Sequence, residues 1–127
     1  MMFYKSICIL GIILICNASV SFAQHLYKEK DYQAVWCKNA VGVVEYVLDD
    51  KTRMDCLTEE YTIEFDFAPK WAEAVGQSLY YALKTSKKSG IVLIIERQGD
   101  EKHIEKLNGI SEKYSIKAWI MRPEDIK

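Results

Sequence analysis

The five residues Ile91 to Ile95 read Ile-Val-Leu-Ile-Ile with no polar interruption, directly after Gly90. A run of this kind is expected of a strand covered on both faces, because a strand with one face in water alternates apolar and polar residues. Such a strand needs helices above and below it, so the chain is expected to build an α/β domain with a mixed sheet. Gln24 to Asn39 places Tyr32 and Trp36 on one helical face. Gly42 to Leu48 reads as a strand closed by the turn Asp49-Asp50-Lys51. Arg53 to Leu57 and Tyr61 to Phe67 are two further strands, joined over Thr58-Glu59-Glu60. Pro69 suits a first helical position, and Lys70 to Lys84 carries Trp71, Val75, Leu79 and Ala82 as an apolar stripe. Lys87-Lys88-Ser89-Gly90 is expected to end that helix. Glu101 to Tyr114 is a last helix and Ile116 to Met121 a last strand, giving the order αβββαβαβ.

The first 23 residues read as an address. Lys5 supplies a positive start, Ile7 to Cys16 an apolar stretch, and Ser21-Phe22-Ala23 a small-x-small cleavage site. The apolar stretch is too short and too soon followed by Asn17, Ser19 and Ser21 for a membrane span. Ile15 before Cys16 argues against lipid attachment. Cleavage after Ala23 therefore predicts a periplasmic or secreted protein with no membrane attachment, a single domain over residues 24–127. In that domain 16 basic residues face 18 acidic ones, a balance that does not itself advertise a polyanionic partner. Export leaves Cys37 and Cys56, which in an oxidising compartment are expected to form one disulfide.

A hairpin turning about Glu59 and Glu60 sets Asp55 opposite Glu64 and Arg53 opposite Asp66, with Met54 opposite Phe65 and Cys56 opposite Ile63. One face is then apolar and the other charged, and a slip by one residue would mix them. Side chains opposed in this way lie roughly 5 Å apart at Cβ. Carboxylates so close repel unless something positive lies between them, and Mg²⁺, Mn²⁺ or Ca²⁺ suits such hard oxygen donors. The plain alternative is an Arg53–Asp66 ion pair on a solvated face. On the following helix, Lys70, Glu73, Gln77 and Tyr81 recur at spacings that share one side. Lys84, Lys87 and Lys88 are accounted for by the helix dipole, Trp71, Tyr80 and Trp119 by the core, and His103 by a solvated helix face. His25 has no partner in any motif.

Asp55, the segment Ile63-Glu64-Phe65-Asp66, the segment Gly76 to Ala82 and the strand from Gly90 to Glu96 together resemble the PD-(D/E)XK nuclease superfamily. The resemblance implies an αβββαβ restriction-endonuclease-like core, extended by a C-terminal helix and strand. It implies Asp55 and Glu64 as metal-binding carboxylates, with Asp66 a third candidate and Glu45 a weaker match to an additional acid. Mg²⁺ or Mn²⁺ is the implied cofactor and nucleic acid the implied partner. The sequence departs from the family at Asp66, where a lysine usually stands. Lys70 is placed to supply that charge from the neighbouring helix, Arg53 competes for the role, and Gln77 and Tyr81 would position helix or substrate. Two outcomes remain open: a metal-dependent phosphodiesterase, or a nuclease-like binding module without catalysis.

Overall fold

The computed structural model describes residues 24–127; the expected address, with Cys8 and Cys16, lies outside the described residues. The elements are α1 (Glu29–Asn39), β1 (Val43–Val47), β2 (Arg53–Leu57), β3 (Tyr61–Phe67), a 3-10 turn (Ala68–Lys70), α2 (Trp71–Thr85), β4 (Lys88–Ile94), α3 (Glu101–Tyr114), β5 (Lys117–Met121) and a second 3-10 turn (Pro123–Ile126). One five-stranded sheet runs β1-β2-β3-β4-β5. The first three strands form an antiparallel meander, and β4 and β5 are added in parallel, as connections through α2 and α3 require.

The run Ile91 to Ile95 is buried throughout, and its alternation between two apolar layers explains why it contains no polar residue. Val92 and Ile94 join Tyr32 and Cys37 of α1, with Cys56, Ile63, Phe65 and Met121, in one apolar layer. Ile91, Leu93 and Ile95 join Ala68, Ala74, Leu107 and Ile116 in the layer under α2 and α3. Cys37 and Cys56 are disulfide-bonded with Cα atoms 5.9 Å apart, tying α1 to β2. Gly42 is required beside that bond, since a Cβ there would lie 2.6 Å from the Cys56 Sγ and 2.7 Å from the Cys37 Sγ.

Several expectations need correction. The first helix begins at Glu29 instead of Gln24, because the preceding residues hydrogen-bond to Glu96. Helix α2 ends with Ser86 in the left-handed region at φ 57, which lets Lys88, Ser89 and Gly90 enter the strand. Its contact face is Ala74, Ser78 and Tyr81, while Leu79 is 36% exposed. Small residues allow the helix to approach the sheet closely, and the Tyr81 ring can bury because its hydroxyl donates to the Arg53 carbonyl at 2.8 Å. Tyr81 is thus an anchor between α2 and β2, not part of an open polar row. Tyr80 is exposed, with its hydroxyl on Asp50. His103 is half-buried, with Nδ1 lacking a hydrogen-bond partner. Lys87 donates to the carbonyls of Thr58 and Glu59 at 2.7 and 2.5 Å, so it braces the β2–β3 turn.

Candidate functional site

Strands β2 and β3 pair as the hairpin predicts, Cys56 with Ile63 and Leu57 with Thr62. Beyond those pairs the carboxylates take over the connection between strands. The Asp55 N–H donates to Glu64 Oε1 at 3.2 Å, and the Phe65 N–H donates to Asp55 Oδ2 at 2.7 Å. Met54 and Phe65 are buried as expected. Arg53 does not pair with Asp66; its guanidinium lies 3.5 Å from Glu45 Oε2 on β1. An exposed arginine gains more from a flexible exposed acid than from a buried one whose approach would strip its own water.

Glu64 is 3% and Asp66 6% exposed, both at positions that alternate away from the Ile63 and Phe65 layer. Together with Asp55 they face a polar cavity of about 210 Å³, which Arg53, Lys70, Glu73 and Gln77 also line. The cavity therefore gathers the nominated residues except Glu45 and Tyr81, the latter holding α2 against β2. Glu45 stands on β1 between Val44 and Tyr46, the partners of Cys56 and Met54. It does not line the cavity, although its charge adds to the pressure on Asp55. Its φ of 55 is costly for a residue with a Cβ, on the order of 1 kcal/mol.

One further cavity residue carried no signal in the sequence: Glu29, from the first turn of α1. An acid there is what the helix dipole favours in any helix, so its type gave no hint of a site. Its placement depends on Glu96, whose side chain is 2% exposed. Glu96 accepts hydrogen bonds from the Leu26 and Tyr27 amides at 3.1 and 3.2 Å and from the Tyr32 hydroxyl at 2.7 Å, and His25 Nδ1 lies 2.8 Å away. The His25 ring also stacks on Phe67, centroids 3.4 Å apart. Glu96→Gln removes acceptor capacity from this cluster. It is expected to accelerate hydrogen exchange at Leu26 and Tyr27 and to cost about 1–3 kcal/mol, as for other hydrogen bonds to buried charge. Unchanged exchange at those two amides would contradict the assigned clamp.

The electrostatics of the cavity run in one direction. Burial, and then the Asp55 charge, push the Glu64 carboxyl up to about 9. Burial also raises Asp55, against the opposing hydrogen bonds from Phe65 and Glu64. Burial lifts Asp66 to about 6, with the Lys70 ammonium acting against it. Glu29 rises to about 7 through burial and the charges of Asp55 and Asp66. Four carboxyl groups thus hold protons more tightly than they would in water, because too little positive charge reaches them.

A divalent cation can replace those protons, and the donor set suits Mg²⁺ or Mn²⁺, ions that keep several waters and use one or two carboxylates. Asp55 and Glu64 provide the two. A third ligand is not assembled, and among the described residues no three His, Cys, Asp or Glu side chains form a ready metal-binding group. Asp66, on the same wall, accepts the Phe67 N–H at its Oδ1 at 3.0 Å. No protein-family model, curated protein or solved structure matches this chain.

Proposed function

We propose that this chain is an exported PD-(D/E)XK-like protein whose Asp55–Glu64 pair holds Mg²⁺ or Mn²⁺ and hydrolyses phosphodiester bonds of nucleic acid. The observation that carries the reading is the interlocked, proton-holding Asp55–Glu64 pair in a polar cavity beside Lys70 and Gln77. The antiparallel meander followed by α2 and a parallel β4 supports a restriction-endonuclease-like core. The disulfide supports work in an oxidising compartment, periplasmic or secreted. Among the described residues no helix is long and apolar enough to cross a membrane.

When bound, the cation supplies Lewis acidity to the phosphoryl group. The chain supplies the rest. Asp55 and Glu64 would hold the cation in place of the proton that Glu64 retains, and so fix the position of positive charge. Lys70 and Gln77, at the mouth of the cavity, meet the non-bridging phosphate oxygens as they gain charge. The Tyr81 hydroxyl on the Arg53 carbonyl keeps α2 and β2 in register, so these groups converge. Asp66 and Lys70 line the same cavity, where the Lys70 ammonium favours the charged form of Asp66 against its burial.

The test is cleavage of single- and double-stranded DNA and RNA with Mg²⁺ or Mn²⁺. Lys70→Ala is expected to lower the rate by roughly 10²–10³ while leaving cation binding in place, the scale seen when one transition-state donor is removed. Asp55→Ala is expected to lose both. If cleavage survives Lys70→Ala but not Arg53→Ala, the active cation is Arg53.

A second reading, a binding module of the same fold without catalysis, is favoured by one observation. Asp66 stands where the family carries lysine, and acids outnumber bases around the cavity. Wild-type protein that binds Mn²⁺ but cleaves none of the four substrates establishes that reading.

A further inference from the structure

A second cavity, of about 660 Å³, lies apart from the carboxylate site. It opens on the α1 side of the sheet beside the β2–β3 turn, walled by Trp36, Tyr61 and Trp119 and rimmed by Glu59 and Glu60, and it shares no residue with the carboxylate cavity. Gly90 makes the wall. A Cβ at that position would lie 2.8 Å from the Trp119 ring and 2.6 Å from Ile63 Cδ1, so only glycine lets the indole settle against the sheet. The rings meet at steep angles instead of forming a flat platform. Trp36 and Trp119 have centroids 5.0 Å apart at 64°, and Tyr61 and Trp119 5.3 Å apart at 82°.

We propose that this pocket binds a small quaternary ammonium group, of the trimethylammonium type. Ring faces attract cations through their quadrupoles, and walls set at an angle surround a compact cation better than they stack a planar ligand. Two ammonium groups of the chain already exploit the same rings. Lys88 Nζ lies 5.8 Å from the Tyr61 centroid and Lys117 Nζ 6.0 Å from the Trp119 centroid. The rim carries the complementary charge. Lys88 is 2.6 Å from Glu60, and the Lys87 ammonium is held on the Thr58 and Glu59 carbonyls, whereas the Glu59 carboxylate, on a residue that lines the pocket, makes no ion pair or hydrogen bond among the described residues. A trimethylammonium group is weakly hydrated, so it gives up little on leaving water for aromatic walls. It would share the ring faces with Lys117 and take the Glu59 charge as its counter-ion. The inference is independent of any activity at Asp55 and Glu64.

The experiment is a choline titration of the disulfide-bonded protein, followed by the indole N–H signals of Trp36 and Trp119 in nuclear magnetic resonance. A parallel titration uses 3,3-dimethylbutan-1-ol, which has the same shape without the charge. Saturable shifts at both indoles are expected with choline, with affinity for the neutral analogue lower by about tenfold. Glu59→Gln, an exposed change, is expected to weaken choline binding. Lys117→Gln is expected to tighten it, a gain that a damaged fold cannot imitate. Co-sedimentation with phosphatidylcholine vesicles would assign the group to a lipid headgroup, and choline binding without co-sedimentation to a free solute; either result supports the cation site. Equal affinity for the neutral analogue, no saturable shift, or no gain on Lys117→Gln overturns the proposal.

Discussion

In the absence of divalent cations the protein is expected to lose thermal stability steadily as the pH rises from about 4.5 towards 9, and Glu64→Gln is expected to flatten that decline while abolishing cation-dependent cleavage. The sign follows from proton linkage. Glu64 has a folded pKa of about 9 against an ordinary 4.5, so the folded state holds the proton more tightly. Its contribution to stability is full below the ordinary value and is lost as the pH climbs through the folded one. Asp66 and Glu29 act in the same direction, up to about 6 and 7, and Asp55 is raised with them. Glu96 acts in the opposite sense: burial opposes its ionisation, but the hydrogen bonds from Tyr32, His25, Tyr27 and Leu26 outweigh burial and hold it below its ordinary value. Its contribution is lost as the pH falls, which places the optimum in mildly acid solution.

Glutamine at position 64 keeps the shape, cannot ionise, and offers an N–H to Asp55. Saturating Mn²⁺ should restore stability to the wild type at pH 8 and not to Glu64→Gln; at 100 times the dissociation constant the linkage amounts to about 2.7 kcal/mol. Melting curves at several pH values read this directly, since about 1 kcal/mol shifts the midpoint of a domain this size by roughly 4–8 °C. A Glu64→Gln profile with the wild-type slope would contradict the assignment.

Loss of the Cys37–Cys56 bond is expected to be the most destabilising change outside the carboxylate cavity. The bond closes a loop with a sequence separation of 19 residues and joins α1 to β2 within the apolar layer under α1. Removing it, as Cys37→Ala with Cys56→Ala, is expected to cost about 3 kcal/mol, within the 2–5 typical of small exported domains. Denaturant melts of the double variant and the parent measure the difference. Mass spectrometry of unreduced parent protein after alkylation checks the bond, and two modified thiols would show that it does not form.

How far the sequence disclosed this structure differs from segment to segment. Ile91 to Ile95 pointed to a strand between two helical layers because the run is short, rich in β-branched residues and preceded by Gly90. The hairpin register was legible for a related reason: only one pairing separates Cys56, Ile63, Met54 and Phe65 from Asp55 and Glu64. Where the reading failed, side chains held the backbone in ways that periodicity cannot express. Glu96 gathers the amides of Leu26 and Tyr27, which a helical pattern assigned to α1. Tyr81 buries by finding the Arg53 carbonyl, and Arg53 turns to Glu45 instead of Asp66. Of the cavity, Asp55, Glu64, Asp66, Lys70 and Gln77 were visible in spacing. Glu29 was not, because nothing in the sequence brings the start of α1 over the end of the hairpin.

The central claim is that Asp55 and Glu64 exchange a held proton for a divalent cation. Calorimetric titration of Mn²⁺ into the protein at pH 7, in two buffers of different ionisation enthalpy, tests it directly, because the difference between the two heats counts the protons released. The account predicts saturable binding with release of about one proton per Mn²⁺, as expected of a carboxyl whose proton the ion displaces, and loss of both binding and release in Glu64→Gln. Binding without proton release, or binding that Glu64→Gln leaves intact, would contradict it.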